Sequence, residues 1–453
     1  MRKLLVANRG EIAVRIIRAA RELGISTVAV YSEADQDALH VRLADERVLI
    51  GPPAASRSYL NMDAVVTAAV DLGADAVHPG YGFLSERAEF ADRVTGAKLL
   101  FVGPSAETIR LMGDKARARS AAEEAGVPTV PGSDGPVDGL SQALAAAEKA
   151  GYPVAVKAAA GGGGRGIRIV ADATELAEAL PVAQAEAQAA FGSGLVYIER
   201  FVPNARHIEV QVFGDGENFV HLGERECSMQ RRRQKVLEEA GAPGLPDHVR
   251  TAMADAAVAL AKVSGYSGAG TVEFLYDSAS EGFYFIEMNT RIQVEHPVTE
   301  MVTGRDLVRE QLTVASGDPL SFCQADIEFR GHAIEVRLNA ENPDFGFMPS
   351  PGVLSAMRMP GGPFVRIDSG FGPGSEVSPF YDSLLAKIIV WGDSRRAAIA
   401  RMARTLDEVE IEGVVTTAGF LREVIDIEEF RDGRYHTTFL EDWMTGTRNG
   451  GGK

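Results

Sequence analysis

The amino-acid sequence predicts a multidomain protein of the α/β and α+β classes, in which a small parallel sheet is followed by a lid-like unit and then by a larger mixed unit. Three observations carry this. Apolar strands and amphipathic helices alternate through the first hundred residues. A glycine-rich run at Gly161 to Gly166 separates two short strands. Beyond residue 204 the chain turns to strands that alternate polar and apolar side chains. At roughly 150 residues per domain, a chain of 453 residues suggests about three domains.

Residues 3–7 read as a buried strand, 11–23 as a helix with Ile12, Ile16, Ala20 and Leu23 on one face, and 26–31 as a second strand. A helix near 61–72, a strand at 74–77 and a strand at 99–102 continue the alternation. The first turn, Asn8-Arg9-Gly10-Glu11, lacks the glycine pattern that admits a dinucleotide pyrophosphate, which disfavours a nicotinamide site. The connector Val127-Pro128-Thr129-Val130-Pro131-Gly132 interrupts helix and strand alike and marks a boundary. After it come a helix at 138–150, strands at 154–158 and 167–170, a long helix at 173–190 and a strand at 195–201. Helices near 247–264, 394–409 and 416–425 pack around the last group of strands. The glycine-rich tail from Thr445 reads as an irregular end.

Composition narrows the function. A formal net charge of −17 argues against broad attraction to nucleic acid or to an anionic membrane. Two distant cysteines, Cys227 and Cys323, support neither a disulfide framework nor a zinc site, as expected in a reducing cytoplasm. The apolar run at Leu4 to Ala7 is too short for a signal peptide, and no run approaches the ~18 residues of a membrane span.

Consecutive glycines expose backbone N–H groups that can wrap phosphate oxygens. With no Lys-Ser/Thr behind them the geometry is that of a flap over a nucleotide, or else of a plain surface turn. Lys157 and Lys115 are placed to meet phosphate charge. From Phe285 to Glu295, the polar residues Glu287, Asn289, Arg291, Gln293 and Glu295 alternate with apolar ones. Period two puts them on one face, with a bend after about Asn289 needed for them to converge. Glu273 lies on a strand expected to pair antiparallel with 283–288 across the turn at 277–282, so that Glu273, Glu287 and Asn289 face one another. Oxygen ligands of this kind beside a phosphate loop suit Mg2+. His207, Glu209 and Gln211, and then Glu335, Arg337 and Asn339, show the same alternation and could line the same cleft. Met229 to Lys235 packs four cations into five residues, either an anion site or a solvated patch.

At His78-Pro79-Gly80-Tyr81-Gly82-Phe83-Leu84-Ser85-Glu86, the glycine run, Glu226 to Arg232 and Glu287 to Glu300, the sequence resembles biotin carboxylases. The resemblance extends from Asn8 to Thr437. It implies the ATP-grasp fold: an N-terminal Rossmann-like domain (1–113), a linker and lid carrying the glycine loop (114–203), a C-terminal mixed α+β domain (204–446) and a flexible tail (447–453). It implies ATP contacts from Lys115, Lys157, Gly162, Gly163, Gly164, Gly166, Glu199, His207, Gln230, Glu273, Leu275 and Glu287. Metal ions, Mg2+ or Mn2+, fall to Glu273, Glu287 and Asn289. Bicarbonate falls to Lys235, Arg291, Gln293 and Val294, with Glu295 as its base; Arg337 stabilises the biotin enolate and Tyr81 contacts biotin.

The implied reaction is the first half-reaction of an acetyl-CoA or acyl-CoA carboxylase. Its expected partners are a biotin carboxyl carrier, a carboxyltransferase and a second copy of the chain, and not nucleic acid or membrane. Since no attachment lysine in a Met-Lys-Met setting and no acyltransferase domain follow residue 450, the carrier and the carboxyltransferase are expected elsewhere, or cut away from this chain. One departure is Arg233, where the family usually has histidine. Two other readings are an ATP-grasp ligase joining a carboxylate to an amine, against which the Arg291 to Thr299 motif argues, and a silent nucleotide-binding scaffold.

Overall fold

The computed structural model describes residues 1–133, 135–158 and 167–450. The glycine run, with Gly162, Gly163, Gly164 and Gly166, lies outside the described residues. Near the N-terminus, β1 (Lys3–Val6), α1 (Gly10–Glu22), β2 (Ser26–Ser32), β3 (Glu46–Gly51), β4 (Ala76–His78) and β5 (Leu100–Phe101) form a parallel sheet in the order β3-β2-β1-β4-β5. β1 and β2 are apolar on both faces because helices cover both, as a parallel sheet requires. β3 escaped the sequence reading. It is an edge strand whose Arg47 and Leu49 are exposed, so its pattern is too weak to stand out from a loop.

A second, antiparallel sheet joins β6 (Val154–Ala158), β7 (Ile167–Val170) and β8 (Val196–Arg200) in the order β7-β6-β8. The helices Leu140–Ala150 and Ala173–Phe191 close one apolar core with it. The connector at 127–132 is tied to both sides, since Phe285 donates its N–H to the carbonyl of Pro128 and Arg200 donates to that of Pro131.

The largest sheet has eight antiparallel strands. They run β13 (Gly282–Asn289), β12 (Ser267–Asp277), β9 (Arg206–Asp215), β10 (Phe219–Arg231), β11 (Gln234–Ala240), β14 (His332–Asn339), then the strands Leu384–Gly392 and Val365–Ser369. One core cluster joins Leu4, Val6, Ile12 and Ile16 to Phe213, Ile292, Leu307 and Leu312, so the first sheet's helix side packs directly on this third region. The C-terminal helix Phe439–Gly450 runs on into the segment whose glycines suggest an irregular end. Its first turns bury Leu440 and pack Trp443 and Met444, and a helix once nucleated extends at little cost.

Candidate active site

β12 and β13 pair antiparallel as expected, with Asp277 opposite Gly282 and Glu273 opposite Glu287. A bulge interrupts the ladder, because Phe274 already faces Phe285 and Ile286 is left over. Ile286 is 41% exposed rather than buried with the apolar face, and strict alternation through Phe285 to Glu295 is thereby corrected. The chain leaves the sheet after Asn289 and turns into the helix His296–Thr303. That is the bend needed to bring Gln293 and Glu295 back towards Glu273.

Lys235, on β11, is the meeting point. Its ammonium lies 2.7 Å from Glu209, 2.5 Å from Glu295 and 3.3 Å from Glu273. Arg337, on β14, lies against the other side of Glu295, its guanidinium 3.0 Å from Oε2, while its Nε donates to Glu238 at 2.7 Å. Burial opposes ionisation of Glu295, but Lys235, Arg337 and Arg225 together hold its carboxyl well below the usual range. Burial likewise opposes charge on Lys235, and the surrounding acids still push its ammonium well up. Glu273 is held well below the usual range by Lys235 and His207, against burial.

His207 places Nε2 3.0 Å from Glu273, and Gln230 donates to its Nδ1 at 2.9 Å. Leu275 is half-buried and stands opposite His207 in the β9–β12 ladder. Gln293 donates to Glu273 at 2.9 Å, and Val294 offers its carbonyl to Lys387 at 2.8 Å. Arg291 bridges Glu86 (2.9 Å) and the side-chain oxygen of Asn289 (2.7 Å). Asn289 turns its amide N–H to Glu273, so its ligand oxygen faces Arg291 here. Glu287 is open to solvent on the same face as Glu273, and burial, Glu273 and Glu86 raise its carboxyl. Two opposed carboxylates, one of them accessible, fit a hard divalent cation that keeps water and phosphate ligands. His207, Glu209 and Glu273 also place ligand atoms within 4.8 Å of one another.

Some expected residues stand apart. Lys157 pairs with Glu199 on the three-stranded sheet, and Lys115 is exposed at the start of the helix Lys115–Glu124. Tyr81 donates its hydroxyl to Glu11 and lines a cavity of about 180 Å³ with Arg9 and Asp382. The run Met229 to Lys235 is not one anion site. Arg232 and Arg233 are the exposed hairpin turn, both in the left-handed region, and Arg231 lies 3.9 Å over the Phe347 ring; Lys235 alone of the four reaches the acid cluster. The cation run spans a two-residue hairpin turn, which turns its two central arginines away. Asn339 faces Glu341 rather than the cluster.

Sequence reasoning missed Arg225. It is fully buried, with hydrogen bonds to Glu209, Gln211, Thr299, Thr271 and Gln293 that bind three strands and the bend together. It also missed Glu238, Glu86 and Lys387. Lys387 left a signal, a lone cation within Leu384-Leu385-Ala386-Lys387-Ile388-Ile389-Val390, where a charge must find buried partners. Its ammonium lies 3.1 Å from Glu11.

Comparison with known proteins identifies the family. Residues 1–109 match the biotin carboxylase N-terminal domain, 114–323 the ATP-binding domain of the carbamoyl-phosphate synthase L chain, and 335–442 the biotin carboxylase C-terminal domain. Biotin carboxylase 1 of Bacillus subtilis is 55% identical over 98% of this chain and 99% of its own length; the Pseudomonas aeruginosa biotin carboxylase is 52% identical over 97% and 98%. Among solved structures, the biotin carboxylase domain dimer of Hydrogenobacter thermophilus 2-oxoglutarate carboxylase, in complex with MgADP, ADP and bicarbonate, matches with a TM-score of 0.88. It is 48% identical and covers 97% of each chain. The chain therefore belongs to the biotin carboxylases, ATP-dependent ligases of the ATP-grasp fold.

Proposed function

We propose that the cluster around Lys235, Glu295 and Arg337 carboxylates biotin presented on a carrier protein, using ATP and bicarbonate. The observation that carries the assignment of roles is the buried carboxylate of Glu295 clasped between the Lys235 ammonium and the Arg337 guanidinium. So clasped, Glu295 is ionised but a weak base. Bicarbonate entering beside Lys235, Arg291, Gln293 and the Val294 backbone draws Lys235 onto itself and raises the proton affinity of Glu295. Glu295 takes the bicarbonate proton, and a bicarbonate oxygen bonds to the γ-phosphorus of ATP as the bond to ADP breaks, which yields carboxyphosphate.

Carboxyphosphate breaks to CO2 and phosphate. The phosphate takes the proton from the biotin ureido nitrogen, which attacks CO2, while Arg337 donates to the ureido oxygen as negative charge develops there. Glu273, Glu287 and Asn289 would hold Mg2+ or Mn2+, which would supply positive charge against the transferring phosphoryl group. ATP contacts fall to Lys115, Lys157, Glu199, His207, Gln230 and Leu275, and to the glycine run. Biotin lies by Tyr81.

The same reading divides the chain at residues 113, 203 and 446 and gives it a biotin carboxyl carrier, a carboxyltransferase and a second copy of itself as partners. It also gives it a place in the cytoplasm. Among the described residues no helix is long and apolar enough to cross a membrane. Steady-state ATP cleavage tests the function. It is expected to need both Mg2+ and bicarbonate and to rise with free biotin; equal cleavage in degassed, bicarbonate-free buffer contradicts the proposal.

A further inference from the structure

Behind Arg337 the large sheet buries two glutamates side by side. Glu238 and Glu335 are directly opposite in the β11–β14 ladder. Their side chains therefore stand on one face, with Cβ atoms about 4.5–5.5 Å apart. Both residues are fully buried. Glu238 gives Oε1 to Arg337, whereas its Oε2 and both oxygens of Glu335 have no hydrogen-bond partner among the described residues.

The charged groups that face this pair are already engaged. Arg337, two residues along β14, binds Glu238 and Glu295. Lys387, on the neighbouring strand, binds the Val294 carbonyl and Glu11 and lies 3.9 Å from Asp368. Two ionised carboxylates cannot share so dry a space without a donor between them, and one proton supplies that donor.

We infer that Glu335 is an uncharged carboxylic acid that donates its proton to Oε2 of Glu238, and that it thereby acts as a positioning residue for Arg337. With Oε2 occupied, the Glu238 carboxylate has one orientation, in which Oε1 fixes Nε of Arg337. The guanidinium then presents its remaining edge to Glu295 and to the reacting biotin. The ionisation balance agrees: burial pushes Glu335 well above the usual range, with Glu238 adding to the effect against Lys387 and Arg337. Burial pushes Glu238 only to about 7, because Arg337 opposes it. The proton therefore resides on Glu335.

The inference rests on the reading of Arg337 as the ureido partner, and its test separates the two. Glu335→Gln keeps a donor of the same length, and Glu335→Leu removes it. In the full chain, Glu335→Gln is expected to keep the carboxybiotin formed per ATP cleaved within about twofold of wild type. Glu335→Leu is expected to lower that ratio about tenfold with bicarbonate-dependent ATP cleavage little changed, as for a displaced positioning group. Infrared difference spectra of wild type should contain the carbonyl band of a protonated carboxylic acid, shifted in D2O and absent from Glu335→Gln. This arm stands even where Glu335→Leu fails to fold. A wild type without the band, a band that persists in Glu335→Gln, or a Glu335→Gln ratio as low as that of Glu335→Leu would overturn the inference. If the function of Arg337 is misread instead, Arg337→Ala leaves the ratio intact while the band remains.

Discussion

Glu295 shows how one residue is made both anionic and restrained. Lys235 and Arg337 take one oxygen each, and Arg225 adds a third positive charge behind them. Glu295→Gln keeps the shape but removes the base, so ATP cleavage and carboxybiotin formation should fall together by roughly 10²- to 10⁴-fold. Stopped-flow ADP release checks this, and a variant that cleaves ATP at the wild-type rate would assign the base elsewhere. Glu295, Gln293 and Arg291 were legible from their spacing, although the strand itself ends at Asn289 and all three lie past it, in the bend. Arg225 was not legible: between Glu224 and Glu226 it reads as surface charge, and only the ladder reveals that five acceptors converge on it.

The elements that carry the site are strands whose backbones leave no slack. At Gly214 on β9, an added Cβ would lie 2.4 Å from the carbonyl oxygen of Tyr266, which leads into β12. That contact is with backbone, which cannot swing aside. Gly214→Ala should therefore part β9 from β12, cost about 1–3 kcal/mol, and separate His207 and Glu209 from Glu273. Thermal melting together with the KM for ATP would register it; an unchanged melting temperature would show that the two strands yield. The antiparallel partner of Glu273 was readable from the turn between the strands, since hairpin geometry is local. The bulge at Ile286 was not, because a leftover residue is defined only by the partner strand it fails to meet. β3 was lost for the opposite reason, an edge position with too little burial to mark it.

At the scale of the whole molecule, buried ion pairs tie distant elements together and make the fold sensitive to acid. Glu239 on β11 meets His332, Arg395 and the Tyr435 hydroxyl at 2.5–2.9 Å. Burial works against its charge, but His332 and Arg395 hold the carboxyl down at about 2. Its folded value thus lies below its unfolded one, so its stabilisation is complete above about pH 4.5 and is lost as pH falls towards 2. Burial also keeps His78 neutral, down to about 3, and this removes further stability once pH drops below about 6.5. In urea unfolding from pH 7 to pH 3, Glu239→Gln should start about 3–5 kcal/mol less stable and lose less on acidification. Parallel curves for the two proteins would contradict that account of acid sensitivity.

The most direct test of the central claim, that one cleft holds two successive half-reactions with separate residues, is the ratio of carboxybiotin formed to ATP cleaved in Arg337→Ala. Loss of a charged donor at a developing oxyanion typically costs a few kcal/mol. Carboxybiotin should therefore fall ~10²-fold or more while slow bicarbonate-dependent ATP cleavage persists. If melting temperature, ATP cleavage and carboxybiotin instead decline in parallel, Arg337 only braces Glu238 and Glu295, and the division of labour proposed here is wrong.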